Sequence, residues 1–240
     1  TSIDADSLTV QNTVKAGSGP LGVVADSRAG RIYVADWYGR RIHVFDAVTL
    51  GLRGRYKTGN TPAGLALTPD GKQLLVANRD DNQVWVINTV SGLTEARIDV
   101  GKAPFGISVS YDGKRAFSAN VQSNSITVID LIGMQPSQTL AVGTMPYASV
   151  HDPVRERLFV TNQEDANVSV LDLIERHEIA RIEVGEYPEG IDLRIIERRV
   201  YVANWFSNRV SVIDADELTV VETFATDDGP RAFGQFILEP

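Results

Sequence analysis

The sequence predicts an all-β protein, a β-propeller of four-stranded blades, and three observations carry this prediction. One pattern of Gly, Pro and Asn or Asp recurs every 42 residues along the chain. Each repeat divides into four short segments rich in β-branched and aromatic residues, which is typical of strands. No segment shows a helical period over ten residues, so we expect almost no helix. Repeats of about 40 residues with four strands each are typical of propeller blades.

The period can be read directly from the prolines, which stand 42 residues apart at Pro20, Pro62, Pro104, Pro146, Pro188 and Pro230. Five of them follow a glycine by three residues. Asn or Asp fills two further positions of each repeat: Asp36, Asn78, Asn120, Asn162 and Asn204, then Asp46, Asn88, Asp130, Asp172 and Asp214. We interpret these short polar side chains as caps that close strand ends onto turn backbone, not as a ring of ligands.

The repeat from residue 104 shows the four predicted strands clearly. PFGISVS is followed by the turn YDGK, then RAFSAN, SITVID and SQTLAVG. In such turns Asp stabilises the bend locally and Gly supplies a positive φ. A single four-stranded sheet cannot bury either face alone, so consecutive sheets are expected to stack around an axis.

The same frame predicts one propeller domain over residues 1–240, with six blade positions. The full blades are expected at about 18–59, 60–101, 102–143, 144–185 and 186–227, and a composite sixth blade combines 1–17 with 228–240. TSID would end a third strand, SLTVQNTVKAG would form a fourth, and PRAFGQFILEP a first. The chain is 12 residues shorter than six periods, which matches a missing second strand. We expect either an upstream segment or another element to fill that gap.

Composition excludes several classes of protein. The net charge is −8, which disfavours a nucleic-acid binder, since such proteins need a dominant basic face. Without cysteine there is no disulfide, thiolate metal site or cysteine nucleophile. No apolar run is long enough for a membrane span. TSIDADSLTV does not read as a signal peptide, so an exported protein would be represented here in its mature form.

The quoted repeats resemble those of a known family. YVAD (33–36), LVAN (75–78), FSAN (117–120), FVTN (159–162) and YVAN (201–204) each precede a V-x-V-I-D-like strand and a V-G-x-x-P-x-G segment. This pattern is similar to the YVTN family of β-propeller repeats, a WD40-like repeat type. The resemblance implies an exported, periplasmic or extracellular protein. It also implies a scaffolding or binding role, whereas more distant propellers are lactonases or lyases.

Propeller geometry assigns the predicted loops to two faces. The V-G-x-x-P-x-G segments and the segments after each YVAN-type motif share one face, which is rich in aromatic residues. We predict that a protein partner or small ligand binds there through Trp37, Tyr38, Arg79, Phe105, Tyr147, Tyr187, Glu189, Trp205, Phe206 and Arg231. Exposed aromatic clusters with an arginine are typical of binding hot spots. The opposite face carries turns such as YDGKR and IIERR, and is expected to be basic and solvated.

The three histidines occupy different positions of the repeat and different radii, so no histidine-based triad or metal cluster can be assembled from them. His151 and Asp192 replace mostly apolar residues of the innermost strands, and we expect them to pair near the axial channel. Such a pair would raise the pKa of His151. No phosphate loop, Ca²⁺ loop or nucleophile elbow is present. We therefore predict no catalytic residue, metal or cofactor.

Two classes of function remain open. The first is a non-catalytic binding or scaffolding module that uses the aromatic face, and a subunit of a larger extracytoplasmic assembly would belong to this class. The alternative is a lactonase- or lyase-like enzyme with a site at the mouth of the axial channel. Metal ligands or acid–base side chains converging on that mouth would favour the enzyme, and fold alone does not decide between them.

Overall fold

The computed structural model describes residues 1–232, 234 and 236–237, and in this part of the chain its regular secondary structure is almost entirely β-strand. Five antiparallel four-stranded sheets follow one another in sequence order, and a two-stranded hairpin precedes them. The predicted all-β, propeller-like architecture with four strands per repeat is confirmed. Within the described residues no helix is long and apolar enough to cross a membrane.

The hairpin joins β1 (Ser2–Ile3) to β2 (Val10–Asn12), and the first sheet contains β3 (Pro20–Asp26), β4 (Arg31–Asp36), β5 (Arg41–Asp46) and β6 (Leu52–Lys57). The second contains β7 (Pro62–Leu67), β8 (Gln73–Asn78), β9 (Gln83–Asn88) and β10 (Thr94–Asp99), with a 3₁₀ turn at Arg79–Asp81. The third contains β11 (Pro104–Val109), β12 (Arg115–Asn120), β13 (Ser125–Asp130) and β14 (Gln135–Ala141).

The fourth sheet contains β15 (Pro146–Asp152), β16 (Arg157–Asn162), β17 (Asn167–Asp172) and β18 (His177–Glu183). The fifth contains β19 (Pro188–Arg194), β20 (Arg199–Asn204), β21 (Arg209–Asp214) and β22 (Thr219–Ala225). The predicted first strand at PRAFGQFILEP is not found among the described residues of that segment, and its residues 233, 235 and 238–240 lie outside them. The predicted third and fourth strands of the closing blade are reduced to the short hairpin β1–β2.

The hydrophobic core lies between consecutive sheets. Four clusters of buried residues correspond to the four contacts between neighbouring sheets, for example Phe117 and Val128 of the third sheet against Leu158 and Val160 of the fourth. Buried aliphatic and aromatic area of this kind is the main stabilising contribution in a sheet-on-sheet fold.

The fifth sheet is less covered on the side turned away from the fourth. Phe224 of β22 is exposed, whereas Ile98, Leu140 and Ile182, at the same position of the repeat, are buried. Val210 of β21 is half-buried, while its counterparts in the other four sheets are buried. This face is therefore the one to which a further blade would have to pack.

Glycine near the start of the first strands allows close packing around the axis. A Cβ at Gly64 would lie 2.4 Å from the carbonyl oxygen of Phe105, and one at Gly106 would lie 2.1 Å from that of Tyr147. Gly190 of the fifth sheet is approached instead by Ala232, whose Cβ would be 2.5 Å and whose backbone oxygen would be 3.0 Å from an added Cβ. Ala232 therefore packs against β19, one residue out of register with the contacts between the other first strands.

Candidate functional site

Five of the six aligned prolines begin the first strands, and we call this end of the axial cavity its upper mouth; the residue that follows each aligned proline lies at this end. These residues, which we call the crown, are Leu21, Ala63, Phe105, Tyr147, Glu189 and Arg231. Several of them touch their neighbours around the axis. The ring centroids of Phe105 and Tyr147 are 4.6 Å apart. Arg231 donates from Nε and Nη2 to the two carboxylate oxygens of Glu189 at 2.6 and 2.9 Å.

The carboxylate of Glu189 is buried and well supplied with donors. Besides Arg231, Gln163 donates from Nε2 to Oε1 at 3.0 Å. Burial and, after it, the charge of Glu189 raise the pKa of the Tyr147 phenol above its ordinary value. The hydrogen bonds to Glu189 raise the pKa of Arg231 in turn. The upper mouth therefore holds a complete, charge-assisted network.

Trp205, Phe206 and Tyr187 form one aromatic group beside Arg231. The centroid of Phe206 lies 4.5 Å from that of Tyr187 and 4.6 Å from that of Trp205. The Arg231 guanidinium stacks on the Trp205 indole, with its carbon 4.0 Å from the ring centroid. Phe206 remains 54% exposed, so the group presents an open apolar side to solvent.

Trp37 and Tyr38, the matching pair in the first repeat, have different surroundings. Trp37 packs against Phe105 of the third sheet, with centroids 6.0 Å apart. The crown residue of the intervening second sheet is Ala63, whose small side chain leaves room for this contact. Tyr38 lies over Gly19 and is 74% exposed. Because the first and fifth blades would flank the composite sixth blade, the sequence frame predicts that both tryptophans lie beside Arg231. Trp205 stacks on Arg231, whereas Trp37 contacts Phe105 instead.

The predicted binding residues thus form two aromatic groups joined by the crown. Trp37, Phe105 and Tyr147 make up one, and Tyr187, Trp205 and Phe206 with Arg231 and Glu189 the other. Arg79 lies in the 3₁₀ turn of the second sheet and pairs with Asp80 at 2.8 Å.

The repeated Asn and Asp residues at the ends of the second strands are buried and make internal hydrogen bonds. Asn120 Nδ2 donates to the hydroxyls of Ser125 and Thr127 at 3.2 and 3.0 Å. Asp36 accepts from the backbone of Gly19 at 3.0 Å and lies 3.3 Å from His43 Nε2. These bonds fix the upper loops that carry the aromatic residues.

The expected pairing of His151 with Asp192 is wrong. Asp192 accepts hydrogen bonds from the backbone N–H groups of Leu193, Phe236 and Ile237 at 2.8 to 2.9 Å. His151 instead stacks on Phe117 with centroids 5.6 Å apart, and its Nε2 lies 3.7 Å from Glu156. Burial is the main effect on its pKa, which is lowered rather than raised.

The lower face, where the first strands end, combines ion pairs with an apolar channel mouth. Arg198 binds Asp152 through both carboxylate oxygens at 2.7 Å, and Arg115 binds Glu156 at 2.6 Å, so cations predicted as simply solvated connect neighbouring sheets. Tyr111 and Ile196 line the channel at this end and are 72% and 82% exposed. Sequence reasoning missed this mouth, although large apolar residues in otherwise charged turns were a visible signal.

No group of three His, Asp or Glu residues within the described part of the chain could hold a metal ion. The arrangement instead offers stacking surfaces and one oriented guanidinium on the upper face, and an apolar channel that opens below.

Comparison with known proteins supports the fold. A family model described as a seven-bladed β-propeller lactonase matches residues 40–132, which is less than half of the chain. No curated protein matches the sequence. A solved structure of Kuenenia stuttgartiensis hydrazine synthase is 18% identical, with a TM-score of 0.66, over 92% of this chain and 91% of that one. Together with the five repeated sheets, these similarities support a β-propeller fold.

Proposed function

We propose that this chain is a non-catalytic binding or scaffolding module that holds its partner through the upper aromatic face. The observation that carries the proposal is the group of Tyr187, Trp205 and Phe206 around Arg231, which combines stacked aromatic rings, an oriented guanidinium and an exposed edge. Trp, Tyr and Arg are the residues most enriched in binding hot spots.

The group is held in place before any partner arrives. Glu189 orients Arg231, and Arg231 in turn stacks on Trp205. Rigid side chains lose little conformational entropy on binding, so a preorganised group of this kind favours affinity. A protein side chain, a carboxylate or a flat apolar ligand would suit the combination of rings and guanidinium.

The contacts of the described C-terminal residues favour six blade positions. Arg231 contacts Glu189 one repeat earlier in the frame, and Ala232 packs against Gly190 of the fifth first strand. The exposed side of the fifth sheet fits the incomplete sixth blade of this proposal. The family model describes seven blades, so a complete natural ring with a seventh blade is the competing arrangement.

An extracytoplasmic location, periplasmic or outside the cell, is part of the proposal and is supported by the resemblance to YVTN repeats. Membership of a larger assembly in that compartment would suit a scaffolding role.

The partial match to the lactonase family favours a second candidate, an enzyme acting at the upper mouth. The polar residues there, Tyr147, Glu189 and Arg231, bond to one another, which leaves them less suited to acid–base work than free groups. An assay for hydrolysis of a simple aliphatic lactone, measured by the acid that it releases, tests this candidate. A hydrolysis rate that Glu189→Gln abolishes would support the enzyme over binding alone.

The binding proposal is tested with Phe206→Ala and Trp205→Ala in affinity capture from the source cell. We expect a defined partner to be recovered with wild type, and its affinity to fall by about 2 kcal/mol in each variant. Tyr111→Ala, on the lower face, is the matched control and should retain the partner. Equal binding by all variants would contradict the proposal.

A further inference from the structure

A cavity of about 810 Å³ runs along the axis of the molecule. Its walls are mostly aliphatic side chains of the first strands, among them Leu65, Ile107 and Ile191. Ligand pockets in proteins commonly have volumes of about 300 to 1,000 Å³ and mostly apolar walls with few polar groups. The cavity is therefore large enough for a small organic molecule.

The two ends of this cavity differ. At the upper end neighbouring crown residues touch one another, with Phe105 against Tyr147 and Arg231 bonded to Glu189. At the lower end Tyr111 and Ile196 are lining residues that remain largely exposed to solvent. A molecule entering the cavity would therefore come from the lower face, opposite the aromatic surface proposed above for the partner.

The polar groups of the cavity wall select against a charged molecule. No Lys or Arg belongs to the lining in the described part of the chain. The carboxylate of Asp192, which also lines the cavity, accepts hydrogen bonds from backbone N–H groups. The hydroxyls of Ser108 and Ser149 bond to each other at 2.8 Å, which uses one of their two protons and leaves the other for a ligand. A buried anion would find no counter-charge here, and the Asp192 carboxylate that could attract a cation already accepts three backbone N–H groups.

His151 adds a polar group that the protein itself leaves unsatisfied. It lines the lower part of the cavity, its side chain is 4% exposed, and neither ring nitrogen has a hydrogen-bond partner. Buried polar groups are nearly always hydrogen-bonded, so an orphaned imidazole in a cavity wall requires an explanation. In the equivalent place of the repeat, Leu67 and Leu193 show that the fold accepts an apolar residue.

We propose that the axial cavity binds an uncharged, largely apolar small molecule bearing a hydroxyl group, which enters from the lower face and bonds to His151. In the present rotamer Phe117 and Glu156 flank the imidazole. Rotation of the ring would turn one nitrogen to the cavity, where it accepts a hydrogen bond from the ligand hydroxyl. The Ser108–Ser149 pair offers the ligand oxygen a donor further along the wall.

The experiment uses 4-propylphenol as the probe and 4-propylbenzoate as its charged counterpart, in calorimetric titrations near neutral pH. We expect one molecule of the phenol to bind per chain, with perturbation of the His151 ring signals in NMR, and no binding of the benzoate. His151→Leu should weaken phenol binding about tenfold, the loss of one hydrogen bond. His177→Leu, an exposed turn histidine, is the matched control.

Several results would overturn this proposal. Equal affinity for phenol and benzoate would remove the argument from charge, and equal affinity of wild type and His151→Leu would remove the histidine. Absence of saturable binding would mean that water alone satisfies the imidazole. Phe206→Ala should leave phenol binding unchanged, so failure of the aromatic-face proposal and failure of this one are separate outcomes.

Discussion

The upper and lower mouths of the axial channel lie at opposite ends of the same repeated first strands, and their buried ionisable groups have different surroundings. Glu189 at the upper mouth accepts from Arg231 and Gln163, and the surrounding rings are in contact. His151 at the lower mouth has no hydrogen-bond partner, and the rim is open. Because the backbone repeats, side chains at one repeat position lie at the same end of every blade. The residue types at that position determine whether the end is closed by side-chain contacts or accessible to solvent.

This comparison predicts that the upper mouth is sensitive to loss of its carboxylate. Glu189→Ala leaves Arg231 and Gln163 without their acceptor and removes a buried charge partner. We expect the free energy of unfolding to fall by about 3 kcal/mol, which is the lower limit of the range for breaking a buried ion pair. The lower limit applies because the Arg231 side chain is half-exposed and can be partly hydrated. Urea denaturation measures it. Glu186→Ala, an exposed neighbour, is the control, and an equal effect of both would contradict the difference between satisfied and solvated carboxylates.

Truncating one aromatic side chain at each mouth compares packing directly. Phe105→Ala removes the contacts with Trp37 and Tyr147, and Ala63 already occupies this repeat position in the second sheet. We expect a loss of about 2 kcal/mol, less than for a fully buried Phe. Tyr111→Ala should change stability by no more than about 0.5 kcal/mol, since the ring is mostly exposed. Equal losses in thermal or urea unfolding would mean that the upper mouth is not the closed one.

Alkaline pH should act on the upper mouth through Tyr147. Its folded pKa is raised by burial and by Glu189, so above about pH 10 the unfolded chain releases a proton that the folded chain keeps. Stability is then fully present below that pH and falls above it, by up to about 1.4 kcal/mol per pH unit for one proton. Urea unfolding in this range should show a shallower slope for Tyr147→Phe. An unchanged slope would exclude this phenol as the source.

Sequence reasoning reached the fold because the 42-residue frame is unbroken and every strand carries its own β pattern. It also selected Phe105, Tyr147, Glu189 and Arg231 for one face, since loop connectivity in a propeller determines the face. It could not assign partners. Asp192 is one residue out of step with His151, and that single step directs its carboxylate to the backbone of residues 193, 236 and 237. Likewise, the contact of Trp37 with Phe105 depends on the size of Ala63, which strand periodicity does not encode.

The smallest expected effect concerns the lower mouth. There, removal of the buried ionisable side chain should raise stability, whereas removal of Glu189 at the upper mouth should lower it. Burial lowers the pKa of His151, while Glu156 opposes the shift, and Arg115, Asp112 and Asp152 act more weakly. As pH falls below about 6.5, the ordinary pKa of histidine, the unfolded chain binds a proton at this residue while the folded chain does not. The free energy of unfolding therefore decreases. His151→Leu removes this penalty and places in the fourth sheet the residue already found at positions 67 and 193.

We therefore expect His151→Leu to match or exceed wild-type stability near neutral pH, and its advantage to grow by roughly 1 kcal/mol as pH falls to about 5. Urea unfolding between about pH 5 and about pH 7.5 keeps most carboxylates ionised, so the difference reports the imidazole. His177→Leu should follow wild type throughout, because that residue is exposed. A variant that loses stability on acidification in parallel with wild type would show that His151 gains a partner in solution.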